Sequence, residues 1–529
     1  MKIEIFDTTL RDGAQGVGVE FSADDKLRVI HVLDRLGVDY IEAGMITDAA
    51  TAAFFDALGP VQKELTCAKL TVFASTAKVG TDAADDALLA MAAKAPVPAA
   101  TVYGKAWLYQ VTEVLGATAE ENLRLIRDSV AFLAASGKEV LFDAEHFFDG
   151  WADNPEYAMA VVDAAFEAGA SRVILCDTNG GMLPDVVGLV TGAVRKKHDR
   201  IGIHCHNDMG MAAACSVAAV LAGAQQVQGT VSGIGERCGN ANLNTLIPVL
   251  QCKLGFDCIG DRLSSLTAAA RAVSDAANLS FDESEPFVGG YAFTHKAGTH
   301  IDGVAKRPRS FEHIDPAAVG NERNTVVSGL SGRAAVIDKM RAAFPEERFS
   351  KDDPRVLCAA AMIREREAEG FDYEDASASL ALVLDEALGV RKSFFRLESL
   401  KVIVDEQAQM QAANTGNAFS ASAVIKIAVG EREYLTAGEG NGPVNAIDEA
   451  LRRALLRFYP EIASMHLTDY RVRVLDSRAT ASAVRVAIES TDGHSVWRTV
   501  GVSSDVINAS WQALRDSVEY MLKRREKRE

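Results

Sequence analysis

The chain has 529 residues, a net charge of -18, and is 48% hydrophobic and 24% charged. That length is too great for one core and predicts two or three domains. The acidic balance excludes a nucleic-acid binder built on a basic face, and no apolar stretch is long enough to span a bilayer.

The opening residues, Met1 to Asp7, enter a strand pattern without the apolar core of a signal peptide. Eight cysteines are scattered with no Cys-x-x-Cys pair. This is the pattern of reduced thiols in a cytoplasmic protein, not of a disulfide frame. Cys205 and Cys238 are read as small buried filler.

Eight short apolar runs follow one another at 3–6, 40–42, 70–74, 100–103, 140–142, 172–176, 201–204 and 226–231. Helix-period segments lie between them, at 23–36, 119–135, 157–167, 184–197 and 212–221. Ser22, Thr118 with Glu121, and Pro184 supply start signals. Alternation repeated eight times predicts a parallel (β/α)8 barrel over 1–275, with an open doubly wound sheet as runner-up. Polar residues gather where the runs end: Arg11-Asp12, Glu42, Glu145-His146, Asp177-Thr178-Asn179, His204/His206 and the loop 233–240. In a barrel these ends share one face, the catalytic one.

The pattern changes after 275. Residues 276–394 read as a connector of loops and helices, with a helical stretch at 354–369 and the segment Thr294-His295-Lys296-Ala297-Gly298-Thr299-His300. From 395 to 529, strand runs at 400–404, 423–429, 470–475 and 483–489 combine with helices at 443–458 and 506–522. The order of strands then helix, twice, predicts an α+β domain with internal duplication. The polar stretch 405–422 reads as a mobile loop and the charged tail 523–529 as a solvated helix end.

His204 and His206 lie at i and i+2 of a strand and share a face, so both imidazoles can reach one divalent cation. A third ligand should be a carboxylate from another strand end. Asp12 is the choice; Asp7 competes, with the alternative of holding its loop by hydrogen bonds. Asn240 is a candidate amide-oxygen ligand. Such a set leaves positions open for substrate and tolerates Mn2+, Mg2+, Zn2+ or Co2+. A 2-oxo acid suits it, because keto oxygen and carboxylate can chelate together. Arg11 is placed to stabilise an alkoxide, an ion pair with a neighbouring acid being the plainer reading. Thr178 is either a donor to the substrate carboxylate or a helix cap.

Three motifs carry a resemblance: Asp-Thr-Thr-Leu-Arg-Asp-Gly-x-Gln at 7–15, His-Cys-His-Asn-Asp at 204–208 and Gly-x-Gly-Glu-Arg-x-Gly-Asn at 233–240. With them the chain resembles the 2-isopropylmalate synthase and homocitrate synthase family of metal-dependent Claisen enzymes. The stretches 142–150 and 175–181 are most similar to its citramalate synthase branch. Residues 438–446 resemble its regulatory domain.

The resemblance implies a homodimer that condenses acetyl-CoA with pyruvate to (R)-citramalate in isoleucine biosynthesis. It places the metal ligands on Asp12, His204 and His206, with Asn240 nearby. The substrate-binding arginine falls on Arg11, joined at the substrate by Gln15 and Thr178. The acidic catalytic residue falls on Glu145 and the connector histidine on His300, with His295 as its alternative. Relatives carry a tyrosine before a Ser-Gly-Lys/Arg turn; the matching 321–323 has none, so the base is left between Glu145 and His300. Isoleucine or leucine is the implied effector of 395–529, against a domain that serves dimerisation alone. The alternatives are a 2-isopropylmalate synthase, a metal-dependent carbon-carbon lyase, which would lack residues 395–529, and a non-catalytic amino-acid sensor.

Overall fold

The computed structural model describes residues 1–326, 332–404, 421–475, 482–493 and 495–526. The loop expected at 405–422 therefore lies almost wholly outside the described residues, as does the end of the charged tail. The chain divides into two units, one of residues 1–293 and 313–323, the other of 294–312 and 324–529. The stretch read as a connector contributes to both.

In the first unit, strands β1 (Glu4–Asp7), β2 (Tyr40–Met45), β3 (Lys69–Ser75), β4 (Ala99–Lys105), β5 (Glu139–Glu145), β6 (Arg172–Asp177), β7 (Ile201–Cys205) and β8 (Gln226–Gly229) form a closed parallel barrel. Closure is direct: β1 pairs with β2 on one side and with β8 on the other, Asp7 lying opposite both Ile41 and Gly229. This excludes the open doubly wound sheet.

Local chemistry sets the helix ends. Helix α1 (Ala23–Leu36) starts at a capping box between Ser22 and Asp25 and stops at Gly37 in the left-handed region, φ 92. The Thr118 hydroxyl accepts from Glu121 N at the start of α2 (Ala119–Ala135), and Pro184 opens α3 (Pro184–Arg195).

Period-two alternation sorts the strand side chains. Ile201, Ile203 and Cys205 of β7, Val140, Phe142 and Ala144 of β5, and Val173 and Leu175 of β6 pack against the helices. Phe6, Tyr40, Ala99, Leu141, Ile174 and Cys176 fill the barrel interior. The eighth run stops two residues early. Thr230 leaves the ladder, and Ser232 turns the chain with φ 55.

The second unit contains the connector helices α4 (Gly298–Lys306), α5 (Gly332–Ala343), α6 (Pro354–Ala368) and α7 (Ser377–Ala387). It ends in two similar repeats. In the first, antiparallel β9 (Arg396–Val404), β10 (Ala421–Val429) and β11 (Arg432–Gly440) precede α8 (Pro443–Leu455). In the second, β12 (His466–Val474), β13 (Val484–Thr491) and β14 (Val496–Ser503) precede α9 (Val506–Glu526). Both third strands escaped the sequence pattern. Each needs a glycine where its helix crosses: a Cβ on Gly438 would meet Ala450 N at 2.5 Å, and one on Gly501 would meet Gln512 Cβ at 2.8 Å. The shared device marks the duplication in backbone terms.

Candidate active site

Side chains from all eight strand ends line one cavity of about 230 Å3 at the C-terminal mouth of the barrel. Among them are Arg11, Asp12, Gln15, Glu145, Thr178 and the pair His204/His206. Their placement follows from topology, since a parallel barrel carries every strand's C-terminal end to the same face.

At its floor, His204 Nε2 and His206 Nε2 lie 3.4 Å apart, and they stand 3.6 and 3.7 Å from Asp12 Oδ2. All three residues are buried. An ion bonded to each at about 2.1 Å fits a triangle with such edges. His204 Nδ1 lies 2.9 Å from Gln228 Oε1. A carboxamide oxygen only accepts, so Nδ1 holds the proton and Nε2 keeps its lone pair. Burial and the neighbouring His206 push His204 down to about 3, and burial lowers His206 as well. Both imidazoles are therefore neutral, the state that binds a metal. Burial by itself would raise Asp12, but the Arg11 guanidinium and the hydrogen bond from Asn240 hold it well below the carboxylate range. The donor set fits a divalent cation. His206 Nδ1 is buried and has no partner among the described residues.

Asp7, the competing ligand, accepts from Thr9 N and Thr9 Oγ1, both at 2.9 Å, and so holds its own loop. Burial pushes it up to about 7. Asn240 presents its amide nitrogen, not its oxygen, to the cluster: Nδ2 donates to Asp12 Oδ1 at 3.0 Å and to Ile234 O at 3.2 Å. Its Oδ1 is buried without a partner among the described residues.

Arg11 combines the two readings weighed for it. Nε donates to Glu42 Oε2 at 2.5 Å, Nη1 donates to Asp12 Oδ2 at 2.8 Å, and the guanidinium lies 3.9 Å above the Phe73 ring. It still lines the cavity. Burial disfavours its charge, yet Glu42 and Asp12 more than offset that and raise its pKa. Glu42 is fully buried and also accepts from Thr8 Oγ1 at 2.6 Å. In the sequence Glu42 closes the second apolar run, and no motif there pairs it with Arg11. Its signal was one charge inside an apolar run.

Asp143 and Glu145 alternate along β5 and both reach the cavity. Glu145 Oε2 pairs with Lys105 Nζ at 2.5 Å. Asp143 is pushed up to about 8, chiefly by burial and then by Glu42. Asp143 and Lys105 were both missed, although period two from Glu145 pointed at Asp143. The Thr178 hydroxyl accepts from His146 N at 2.8 Å, steadying a turn where His146 has φ 58. Its own hydrogen remains for a cavity ligand. The helix that follows starts after Leu183, so Thr178 is not its cap. His300 and His295 belong to the second unit. There His300 stacks on Phe311 at 4.2 Å, and His295 Nε2 lies 3.1 Å from Glu312 Oε1.

The loop after β8 is tied down from two sides. Glu285, buried, accepts from Ser232 Oγ at 2.9 Å, Asn242 Nδ2 at 2.7 Å and Asn244 Nδ2 at 2.8 Å. Arg237, with φ 58, grips Asp208 Oδ1 and Oδ2 at 2.8 and 2.9 Å and donates to Thr178 O at 2.7 Å. The turn at Arg237 leaves Cys238 exposed, correcting its reading as buried filler; Cys205 is buried as expected. Gly235 sits at φ 155, and a Cβ there would collide with the Asn240 amide and lie 3.3 Å from Asp12 Oδ1. Gly235→Ala should therefore push Asn240 off Asp12. We expect a destabilisation of about 1–3 kcal/mol, read by urea unfolding, with a drop in turnover. Unchanged stability and turnover together would contradict that packing.

Residues 2–272 match the HMGL-like family, 287–347 the homocitrate synthase post-HMGL domain-like family, and 374–522 the LeuA allosteric (dimerisation) domain. The chain is 43% identical over 526 residues to an (R)-citramalate synthase of Aquifex aeolicus, covering 98% of both proteins. It is 43% identical to the (R)-citramalate synthase of Geobacter sulfurreducens, covering 99% of this chain and 98% of that one. A 2-isopropylmalate synthase of Methylibium petroleiphilum is 31% identical, covering 97% of this chain and 96% of that one.

Proposed function

The chain belongs to the HMGL-like family and, along its whole length, groups with the (R)-citramalate synthases; from that premise we propose that it condenses acetyl-CoA with pyruvate and hydrolyses the thioester, releasing (R)-citramalate and CoA. The observation that carries this reading is the convergence of two neutral imidazoles, the Asp12 carboxylate and the Arg11 guanidinium on one cavity.

Asp12, His204 and His206 would hold a divalent cation, which when bound supplies Lewis-acid withdrawal from a ketone oxygen. Mn2+, Mg2+, Zn2+ and Co2+ all suit such ligands. The remaining steps are assigned to the chain's own groups. Arg11, held by Glu42, faces the oxygen that becomes an alkoxide. Thr178 and Gln15 orient the substrate carboxylate. Glu145 takes a proton from the acetyl methyl, with His300 of the second unit the other candidate. The carbanion carbon then bonds the ketone carbon, the alkoxide takes up a proton, and water cleaves the thioester.

We assign catalysis to residues 1–275, a contribution to the active site to 276–394, and dimerisation with control by isoleucine or leucine to 395–529. The match of 374–522 to an allosteric (dimerisation) domain supports the last assignment. Among the described residues no helix is long and apolar enough to cross a membrane. The free cysteines support a reducing, cytoplasmic setting, and the match to a dimerisation domain supports a homodimer.

The test is thiol release from acetyl-CoA against a panel of 2-oxo acids. Pyruvate should be preferred over 2-oxoisovalerate by about tenfold or more, the discrimination that two extra methyl groups bring when a pocket is matched to the smaller substrate. A chelator should abolish release and added divalent metal should restore it. Preference for 2-oxoisovalerate would move the assignment to 2-isopropylmalate synthase.

A further inference from the structure

We propose that Asp143 and Gln228 are positioning residues of the metal centre, forming a relay that fixes the tautomer of His204. The inference rests on the metal reading of the site. Three barrel strands supply the relay: β5 gives Asp143, β8 gives Gln228 and β7 gives His204. Gln228 Nε2 donates to Asp143 Oδ1 at 3.2 Å, and Gln228 Oε1 accepts from His204 Nδ1 at 2.9 Å. All three side chains are buried, Gln228 fully so.

The logic lies in the carboxamide, which has a donor end and an acceptor end. Turned one way, it accepts from Nδ1–H and leaves the Nε2 lone pair aimed at Asp12 and His206. Turned the other way, it offers N–H to Nδ1 and drives the proton onto Nε2, which then cannot ligate. His204 by itself does not choose between the two. Asp143 Oδ1, which receives Nε2–H, does so as long as that oxygen itself carries no proton, by holding the donor end away from the imidazole. Among the described residues nothing comparable acts on His206, whose Nδ1 has no partner there. His204 is thus the oriented ligand and His206 the unsupported one. Hydrogen-bond partners of metal-bound histidines commonly act in this way.

The experiment uses Co2+ alone with the full chain, reading affinity by calorimetry and geometry from the visible absorption of the bound ion. Gln228→Met, close in size and without a hydrogen-bonding amide, should weaken Co2+ binding by about 10–100-fold and alter the band. Asp143→Leu should weaken it by about tenfold, because the amide is no longer oriented. Gln228→Glu added to Asp143→Leu should recover most of that loss, since a carboxylate has two acceptor ends and no wrong way round. A role for Asp143 in packing alone predicts no such rescue. Thermal unfolding midpoints establish that each variant is folded; should Asp143→Leu fail to fold, Gln228→Met decides. Wild-type affinity in folded Gln228→Met or Asp143→Leu, or a double variant no tighter than Asp143→Leu, overturns the relay. Absence of Co2+ binding by the wild-type chain would instead overturn the metal reading, and no outcome depends on which 2-oxo acid is the substrate.

Discussion

Arg11→Lys should lower kcat for citramalate formation by about 100–1,000-fold, the loss typical of removing one donor to a developing oxyanion. The expectation rests on what the guanidinium does at once. Its Nε is committed to Glu42, its Nη1 to Asp12, and its plane lies over Phe73, while it still borders the cavity. A planar fork with five N–H groups can meet two carboxylates and a substrate oxygen together. An ammonium on a flexible stem cannot span those directions from one point. The charge survives, so Glu42 keeps a counter-ion and the fold should hold. Arg11→Ala is a different experiment, because Glu42 is fully buried. Removing its partner is expected to cost about 3–5 kcal/mol of stability, which would confuse the kinetic result. Arg11→Lys with near-normal turnover at saturating pyruvate would remove Arg11 from the chemistry.

His206→Ala should abolish turnover and metal binding together. With His206 gone, only His204 Nε2 and Asp12 Oδ2, 3.6 Å apart, remain of the three ligand atoms. A bound cation contributes several kcal/mol of charge stabilisation to such a step. At about 1.4 kcal/mol per tenfold, its loss means about 1,000-fold or more in rate. Mn2+ binding followed by calorimetry should fall in parallel. The pairing of the two readouts matters: lost turnover with intact metal binding would place His206 elsewhere in the mechanism, and retained turnover would end its assignment as a ligand.

Much of the site was legible because single strands carry it. A period of two puts His204 and His206 on one face with no knowledge of the fold, and it does the same for Asp143 with Glu145. The start of helix α1 was legible because the Ser22 and Asp25 cap is a contact between near neighbours in the chain. The third strands of the C-terminal repeats were not. In β11 and β14 the alternation is broken by glycines that admit a helix, a requirement set by packing and not by pattern.

The amino-acid order therefore determined the elements, their alternation and which side chains of a given strand share a direction, since these depend on backbone geometry within a few residues. Only the tertiary structure decided that β1 closes on β8 and so carries Asp12 to the two histidines. The pairing of β1 with β2 gave Glu42 to Arg11, and the closed barrel turned the amide nitrogen of Asn240 toward Asp12 and strung Asp143 through Gln228 to His204. Each of those contacts joins residues more than twenty positions apart. Its existence depends on the register between strands and the curvature of the sheet, and neither is encoded in any one segment.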